Sequence, residues 1–144
     1  MCKWLNNFAK QSQPWTWLAL RVIASIMFLM HGLPKLFGSA ERAAQPIFGG
    51  MGIFGVDVGL NMLWLAGFIE VVGGLLLIVG LWTRWAALAA AVLMVMAYTH
   101  AHLGINPLAT GGEGAVLYFL IYAVIFAFGA GKYSVDEMWC KKRK

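Results

Sequence analysis

The chain has 144 residues, 61% of them hydrophobic and only 12% charged, with a formal net charge of +5. A soluble domain of this size carries ~25% charged residues, so the composition argues against a water-facing globule, and the length allows a single domain over 1–144. The positive charge does not make a nucleic-acid footprint: Lys141, Lys142, Arg143 and Lys144 form a short terminal run, and the other cations flank apolar blocks, where they anchor helices at a membrane surface.

The apolar residues fall in four blocks, each near the ~17–25 residues that cross a bilayer. The first covers about 15–33, with Pro14 placed for a first helical turn, Ser12 for its cap, and His31-Gly32-Leu33-Pro34 as its end. Arg21 interrupts this block, which makes it a poor signal peptide. The long connection 34–61 is rich in glycine and in apolar residues. A short helix over 39–45, stopped by Pro46, and a stretch 47–58 lying in the interface or against the bundle are expected there. The second span covers about 62–81, and the turn Trp82-Thr83-Arg84 leads into the third, about 85–101. Asn106-Pro107 signals a turn before the fourth span, about 114–130, and 131–144 is a basic tail. The predicted fold is therefore all-α: an integral membrane four-helix bundle with a partly interfacial external segment between helices 1 and 2.

Four spans put both termini on one side. That side, with the 82–84 turn, holds Lys3, Lys10, Arg84, Lys132, Lys141, Lys142, Arg143 and Lys144; the other side holds Lys35 and Arg42. The positive-inside bias then places both termini in the cytoplasm of a bacterial inner membrane. Cys2 and Cys140 face a reducing compartment as free thiols, and no C-x-x-C or zinc-spaced Cys/His cluster is present.

Glu70 lies inside a stretch otherwise free of charge. A carboxylate at membrane depth costs roughly 2.5–3.5 kcal/mol on insertion scales, so it must face protein or trapped water, find a partner, or stay protonated. Arg21, His31 and Lys35 fall within an arc of roughly 80° on the first helix. The long side chain of Arg21 is the expected partner of Glu70. Two readings stand side by side: an ion pair locking two helices, and a proton-handling carboxylate held by a cation. Ala66, Gly67, Gly73 and Gly74 share the face of Glu70, and Ala86, Ala90 and Ala97 line the third span; both stripes are expected to pack closely against neighbours. His31, His100, His102 and Glu113 gather at the outer ends. Histidines bonded to carbonyls or water, or in proton or quinone contact, are favoured there over a metal or haem, because His100 and His102 do not share a helix face. Glu113 suits the positive start of the fourth helix. The aromatics Tyr118, Phe119, Tyr122, Phe126 and Phe128 are assigned to lipid contact and core.

The stretches Arg21, His31-Gly32-Leu33-Pro34-Lys35-Leu36-Phe37-Gly38, Glu70-Val71-Val72-Gly73-Gly74, Gly80-Leu81-Trp82-Thr83-Arg84, Gly111-Gly112-Glu113 and Gly131-Lys132-Tyr133-Ser134-Val135-Asp136, in this order, resemble the DoxX family of small four-helix membrane proteins. The resemblance implies the same bundle with an external segment after the first helix. It also implies redox chemistry in the membrane, since some relatives are tied to quinone-linked thiosulfate oxidation and others are proposed partners of thiol-stress enzymes. It carries over Arg21, His31, Lys35, Glu70, Arg84 and Glu113 as a polar set. No motif for flavin, iron–sulfur or P-loop chemistry is present, so any redox work needs an electron donor supplied by a partner.

Three functions share these residues. In the first, a quinone-interacting, redox-linked subunit uses Glu70, His31 and Arg21 for proton chemistry, and His31, Lys35, His100 and Glu113 hold the headgroup. In the second, a non-enzymatic accessory or assembly protein docks on a larger redox complex. In the third, a small proton-coupled transporter uses Glu70 for coupling and works as an oligomer. The bilayer is a partner in all three, and nucleic acid in none.

Overall fold

The computed structural model describes residues 2–37, 62–101 and 111–142. Among them the chain is all-helical: α1 (Cys2–Phe37), α2 (Met62–Val79), α3 (Thr83–Ala101), α4 (Glu113–Phe128) and a short α5 (Val135–Lys142). The expected short helix over 39–45 and the stretch 47–58 lie outside the described residues.

The four apolar helices occur where the hydropathy blocks place them, but the first is much longer than expected. Pro14 does not open α1 and Ser12 does not cap it. The helix starts at Cys2 and runs through both Pro14 and Pro34. The Ser12 hydroxyl donates instead to the Ala9 carbonyl at 3.1 Å, inside the helix. A proline removes one N–H and crowds the preceding turn. Around Pro14 the helix is mostly exposed, so solvent can meet the freed carbonyl. The tail 131–144 also differs from expectation, because α5 forms within it. The Ser134 hydroxyl accepts from the Glu137 N–H at 3.2 Å, and Asp136 and Glu137 sit in the first turn.

α1 packs along α2 and α3 along α4, with a smaller α2–α3 contact joining the pairs. The α1–α2 pair is antiparallel and close. A Cβ built on Gly32 would meet Glu70 Cβ at 2.7 Å and the Gly67 carbonyl at 2.9 Å; one on Gly74 would meet Leu29 Cβ and the Ser25 carbonyl, each at 3.1 Å. Small residues thus bring two backbones together, as expected for Gly67 and Gly74. Gly73 is different: a Cβ there meets none of the described residues within 4 Å, although the glycine is buried. On α3, Ala86, Ala87, Ala90 and Ala91 are buried and allow α4 to approach. The backbones of α1 and α4 meet at few points, and rings bridge the gap: Phe28 against Tyr122 (centroids 4.9 Å apart) and against Tyr118 (6.1 Å).

Large apolar side chains cover the outside. Ile23, Met27, Met30, Leu75, Val79, Val92, Leu117, Leu120 and Phe128 are all exposed, while Arg21, Ser25, Glu70 and Thr83 are buried. Among the described residues one helix stretch, Lys3–Phe37, is long and apolar enough to cross a membrane, and Trp64–Val79, Thr83–Thr99 and Glu113–Phe128 are shorter apolar helices.

Candidate functional site

Two buried charges define two polar clusters, one at each end of the α1–α2 contact. The expected pairing of Arg21 with Glu70 does not form, and the helix register shows why. Glu70 lies opposite Gly32, whereas Arg21 lies opposite Gly80. The rise from Arg21 to Gly32 along α1 is about 16 Å, beyond the reach of one arginine.

Arg21 is 1% exposed and turns toward the segment between α4 and α5. Its Nη1 donates to the Ala130 carbonyl, and its Nη2 donates to the Tyr133 carbonyl at 2.7 Å. Trp17 Nε1 donates to the Gly129 carbonyl at 3.2 Å, and the Trp15 and Tyr133 rings lie 4.6 Å apart. The α2–α3 turn enters the same cluster. Gly80 has φ +74°, and the Leu81 N–H donates to the Leu76 carbonyl at 2.9 Å, the closing bond of a Schellman turn. A side chain at Gly80 would meet Ser134 Cβ at 2.6 Å and Arg21 Nη1 at 2.7 Å, besides straining the backbone. Asp136 then caps α3 from a distance. Its two carboxylate oxygens accept from the Trp82 and Thr83 N–H groups, each at 2.9 Å, and its own N–H donates to the Gly80 carbonyl at 3.0 Å. Three chain segments remote in sequence are closed together by this cluster. Arg84 is exposed and lies against Gly129.

Glu70 is 2% exposed, and its partner is Lys35 from the last turn of α1. Lys35 Nζ donates to Glu70 Oε1 at 2.5 Å, and the Lys35 side chain keeps 30% of its surface exposed. The second carboxylate oxygen, Oε2, is buried with no hydrogen-bond partner among the described residues, and so is the Tyr118 hydroxyl. Gly32 on α1 lies opposite Glu70, and its neighbour His31 meets Tyr118, whose ring is 6.1 Å from that of Tyr122. His31 is exposed, with its ring edge-on to Tyr118 at 5.9 Å. Tyr122 is fully buried, and its hydroxyl donates to the Ala24 carbonyl at 3.3 Å.

The residues expected to act together therefore split. Glu70, Lys35 and His31 are brought together; Arg21 belongs to the other cluster. Glu113 sits in the first turn of α4, as expected, and is exposed; the N-cap position itself is Gly112, which has no side chain to offer. The His100 side chain and His102 lie outside the described residues. Tyr118 and Asp136 escaped the sequence reading as functional positions. The one available signal for Tyr118 was its i, i+4 spacing to Tyr122, which marks a shared face and nothing more. Two apolar grooves of about 300 and 330 Å³ flank the ridge of Leu88, Val92 and Met96 on the outside of α3, away from the acid.

The DoxX family model matches residues 16–103. A protein of Haemophilus influenzae described as uncharacterized is 37% identical over 143 residues, covering 96% of this chain and 100% of its own length. No solved structure matches the chain. The matched stretch holds Arg21, Lys35, Glu70 and the α2–α3 turn, and with the end-to-end relative it establishes that the chain belongs to the DoxX family.

Proposed function

We propose that this chain is a membrane-embedded, redox-linked subunit that binds a quinone headgroup at the Lys35–Glu70 pair and handles the proton that accompanies quinone chemistry. The observation that carries this reading is a buried carboxylate held by one partly exposed lysine: among the described residues Glu70 Oε2 has no partner, and neither has the hydroxyl of Tyr118, whose ring packs with Phe28 and Tyr122, whereas the other two such atoms, Arg21 Nε and Thr83 Oγ1, belong to the Arg21 cluster, where Arg21 is otherwise bonded to main-chain carbonyls. A buried polar atom without a partner costs about 1–3 kcal/mol, so such atoms mark a place where something polar belongs. Phe28, Tyr118 and Tyr122 offer ring faces and edges to a flat headgroup. Lys35, half-buried, holds the carboxylate, and exposed His31 places an imidazole toward the surface. Electrons enter from or leave to a partner oxidoreductase. Family membership, the apolar length of α1 and the exposed leucines, valines and methionines support the membrane placement, in which lipid covers those side chains.

Binding is tested on purified full-length protein in nanodiscs with an alkylated benzoquinone. A quinone-dependent rise in unfolding temperature is expected in wild type and is lost in Lys35→Met; no shift in wild type refutes the reading. The proposed orientation, with both termini in the cytoplasm of a bacterial inner membrane, is tested at exposed Cys140 in a Cys2→Ser background. An impermeant maleimide reacts with it only after inner-membrane lysis, and reaction in intact spheroplasts reverses the topology.

The accessory reading retains one supporting observation. The first turns of α1 expose Trp4, Leu5 and Phe8, and α5 exposes Met138 and Trp139. Gentle solubilisation followed by native mass measurement checks it: a stable co-purifying oxidoreductase is expected, and recovery solely as free chain or homo-oligomer counts against it.

A further inference from the structure

The first turns of α1 reach beyond the bundle. Residues 3–11 are all exposed, whereas Trp15 and Trp17 still touch Tyr133, Phe128 and the Gly129 carbonyl. α1 has 36 residues and is about 54 Å long, more than the ~40–45 Å of a whole bilayer with its headgroups. Held straight, it would carry exposed Trp4 about 16 Å past Trp15, into water, with Leu5 and Phe8 beside it.

The pattern of these turns gives them another resting place. At 100° per residue Trp4, Leu5, Phe8 and Trp15 share one face, with the Trp4 and Phe8 rings stacked at 6.0 Å, while Lys3, Asn6, Lys10 and Gln13 share the opposite one. The apolar face lies within roughly 50° of the side on which α1 exposes Ile23, Met27, Met30 and Leu33. Lys3 and Lys10 fall in line with buried Arg21 and Phe28 instead. The stripe that lipid covers along the span therefore continues into the extension. A bend toward that side turns the Trp4–Phe8 face down onto the bilayer and leaves the lysines among headgroups and water.

The joint for that bend is at Pro14. Its nitrogen has no proton for the Lys10 carbonyl, and its ring crowds the turn before it. On either side a hydroxyl donates to a carbonyl of its own helix, Ser12 to Ala9 and Thr16 to Ser12, each at 3.1 Å. Such side-chain bonds compete with the helical ladder and bend helices.

Charge selects the lipid. Residues 2–14 hold two lysines and no acid. At the same end Arg84, Lys132 and Lys142 are exposed, while Asp136 is occupied by the α3 cap and Glu137 by Lys141. Basic clusters beside a span are drawn to anionic headgroups. A helix with Trp, Leu and Phe on one face and lysines on the other lies at the boundary of headgroups and acyl chains. We propose that residues 2–13 are an amphipathic anchor that folds at Pro14 onto the bilayer surface, seats Trp4, Leu5 and Phe8 at the acyl boundary and prefers anionic phospholipid. The anchor depends on the membrane placement of α1 and is independent of any ligand at Glu70.

The test uses spin labels on the full-length chain, in a Cys2→Ser, Cys140→Ser background, placed one at a time by Trp4→Cys, Phe8→Cys, Asn6→Cys and Gln13→Cys. The protein sits in nanodiscs of phosphatidylcholine, alone or mixed with phosphatidylglycerol. Labels at 4 and 8 should be open to oxygen and closed to a water-soluble nickel chelate, and labels at 6 and 13 the reverse. A label at Ile26→Cys gives the reference for lipid depth. With phosphatidylglycerol the ratio of seated to unseated segment, read from the two spectral components of the label at 8, should rise at least about tenfold. Lys3→Gln with Lys10→Gln should remove that rise. Pro14→Ala restores the ladder and should open positions 4 and 8 to the nickel chelate; labels that stay seated there overturn the joint. Equal nickel access at 4, 6, 8 and 13 in both lipids overturns the anchor while lipid depth at 26 keeps the membrane placement standing; nickel access at 26 as well overturns both. Labels at 4 and 8 closed to both reagents put a partner protein or a second copy on this face and overturn the lipid seat. Equal seating in the two lipids overturns the preference for anionic headgroups.

Discussion

The Arg21 and Glu70 clusters bury charge almost equally deeply, at 1% and 2% exposure, and are built in opposite ways. Arg21 is met by backbone carbonyls of Ala130 and Tyr133, and its neighbours Gly80 and Asp136 are bound in turn to the α2–α3 turn. Its partners are main chain from a segment more than a hundred residues away, so its work is to close the bundle. Glu70 is met by one mobile-stemmed lysine and keeps an oxygen unanswered. Depth of burial therefore does not distinguish the two clusters, and neither do unmet polar atoms, since Arg21 Nε and Thr83 Oγ1 also lack partners among the described residues; the kind of partner does, main chain for Arg21 and a partly exposed side chain for Glu70.

The comparison can be broken by substitution, and the largest effect belongs to the closing cluster. Arg21→Met strands two carbonyls and should lower the unfolding free energy by about 3 kcal/mol or more, read by denaturant unfolding in mild detergent. A loss below about 1 kcal/mol would show that the Arg21 contacts are incidental. Gly32→Val forces α1 from α2 opposite Glu70 and should cost about 1–3 kcal/mol. It should also loosen the Lys35–Glu70 pair, seen as faster amide exchange across 67–74. Asp136→Ala removes the cap of α3 and should cost about 1 kcal/mol, with fraying confined to the first turn of α3 in the same exchange measurement. The exposed Lys141–Glu137 pair, 3.5 Å apart, marks the floor. Glu137→Gln should move stability by no more than about 0.5 kcal/mol, and a larger change would show that α5 is held by more than Asp136 and Ser134.

Helix positions were legible because apolar block length is a strong signal, and they came out where hydropathy put them. The start of α1 was not legible: Pro14 resembles a first-turn proline, and nothing local reveals that Cys2 through Gln13 are helical ahead of it. The choice of Glu70 as the key acid followed from charge at depth. Its partner is not legible, because the arc shared by Arg21, His31 and Lys35 gives direction around the helix but not height along it. Height is set by the α1–α2 register, which depends on Gly32 meeting Gly67 and Glu70, a long-range contact that no single-helix periodicity encodes. Asp136 capping α3 and Tyr118 beside Glu70 are likewise products of chain closure. The glycine stripe on α2 is legible as a face; that Gly74 touches α1 while a Cβ at Gly73 meets none of the described residues depends on where the neighbours stand.

The separation of the two clusters is tested most directly by paired double-mutant cycles on unfolding free energy. Lys35→Met with Glu70→Gln should show a coupling of at least about 1 kcal/mol, and Arg21→Lys with Glu70→Gln should be additive within about 0.5 kcal/mol. Strong coupling of residue 21 to residue 70, with none between 35 and 70, would contradict the account.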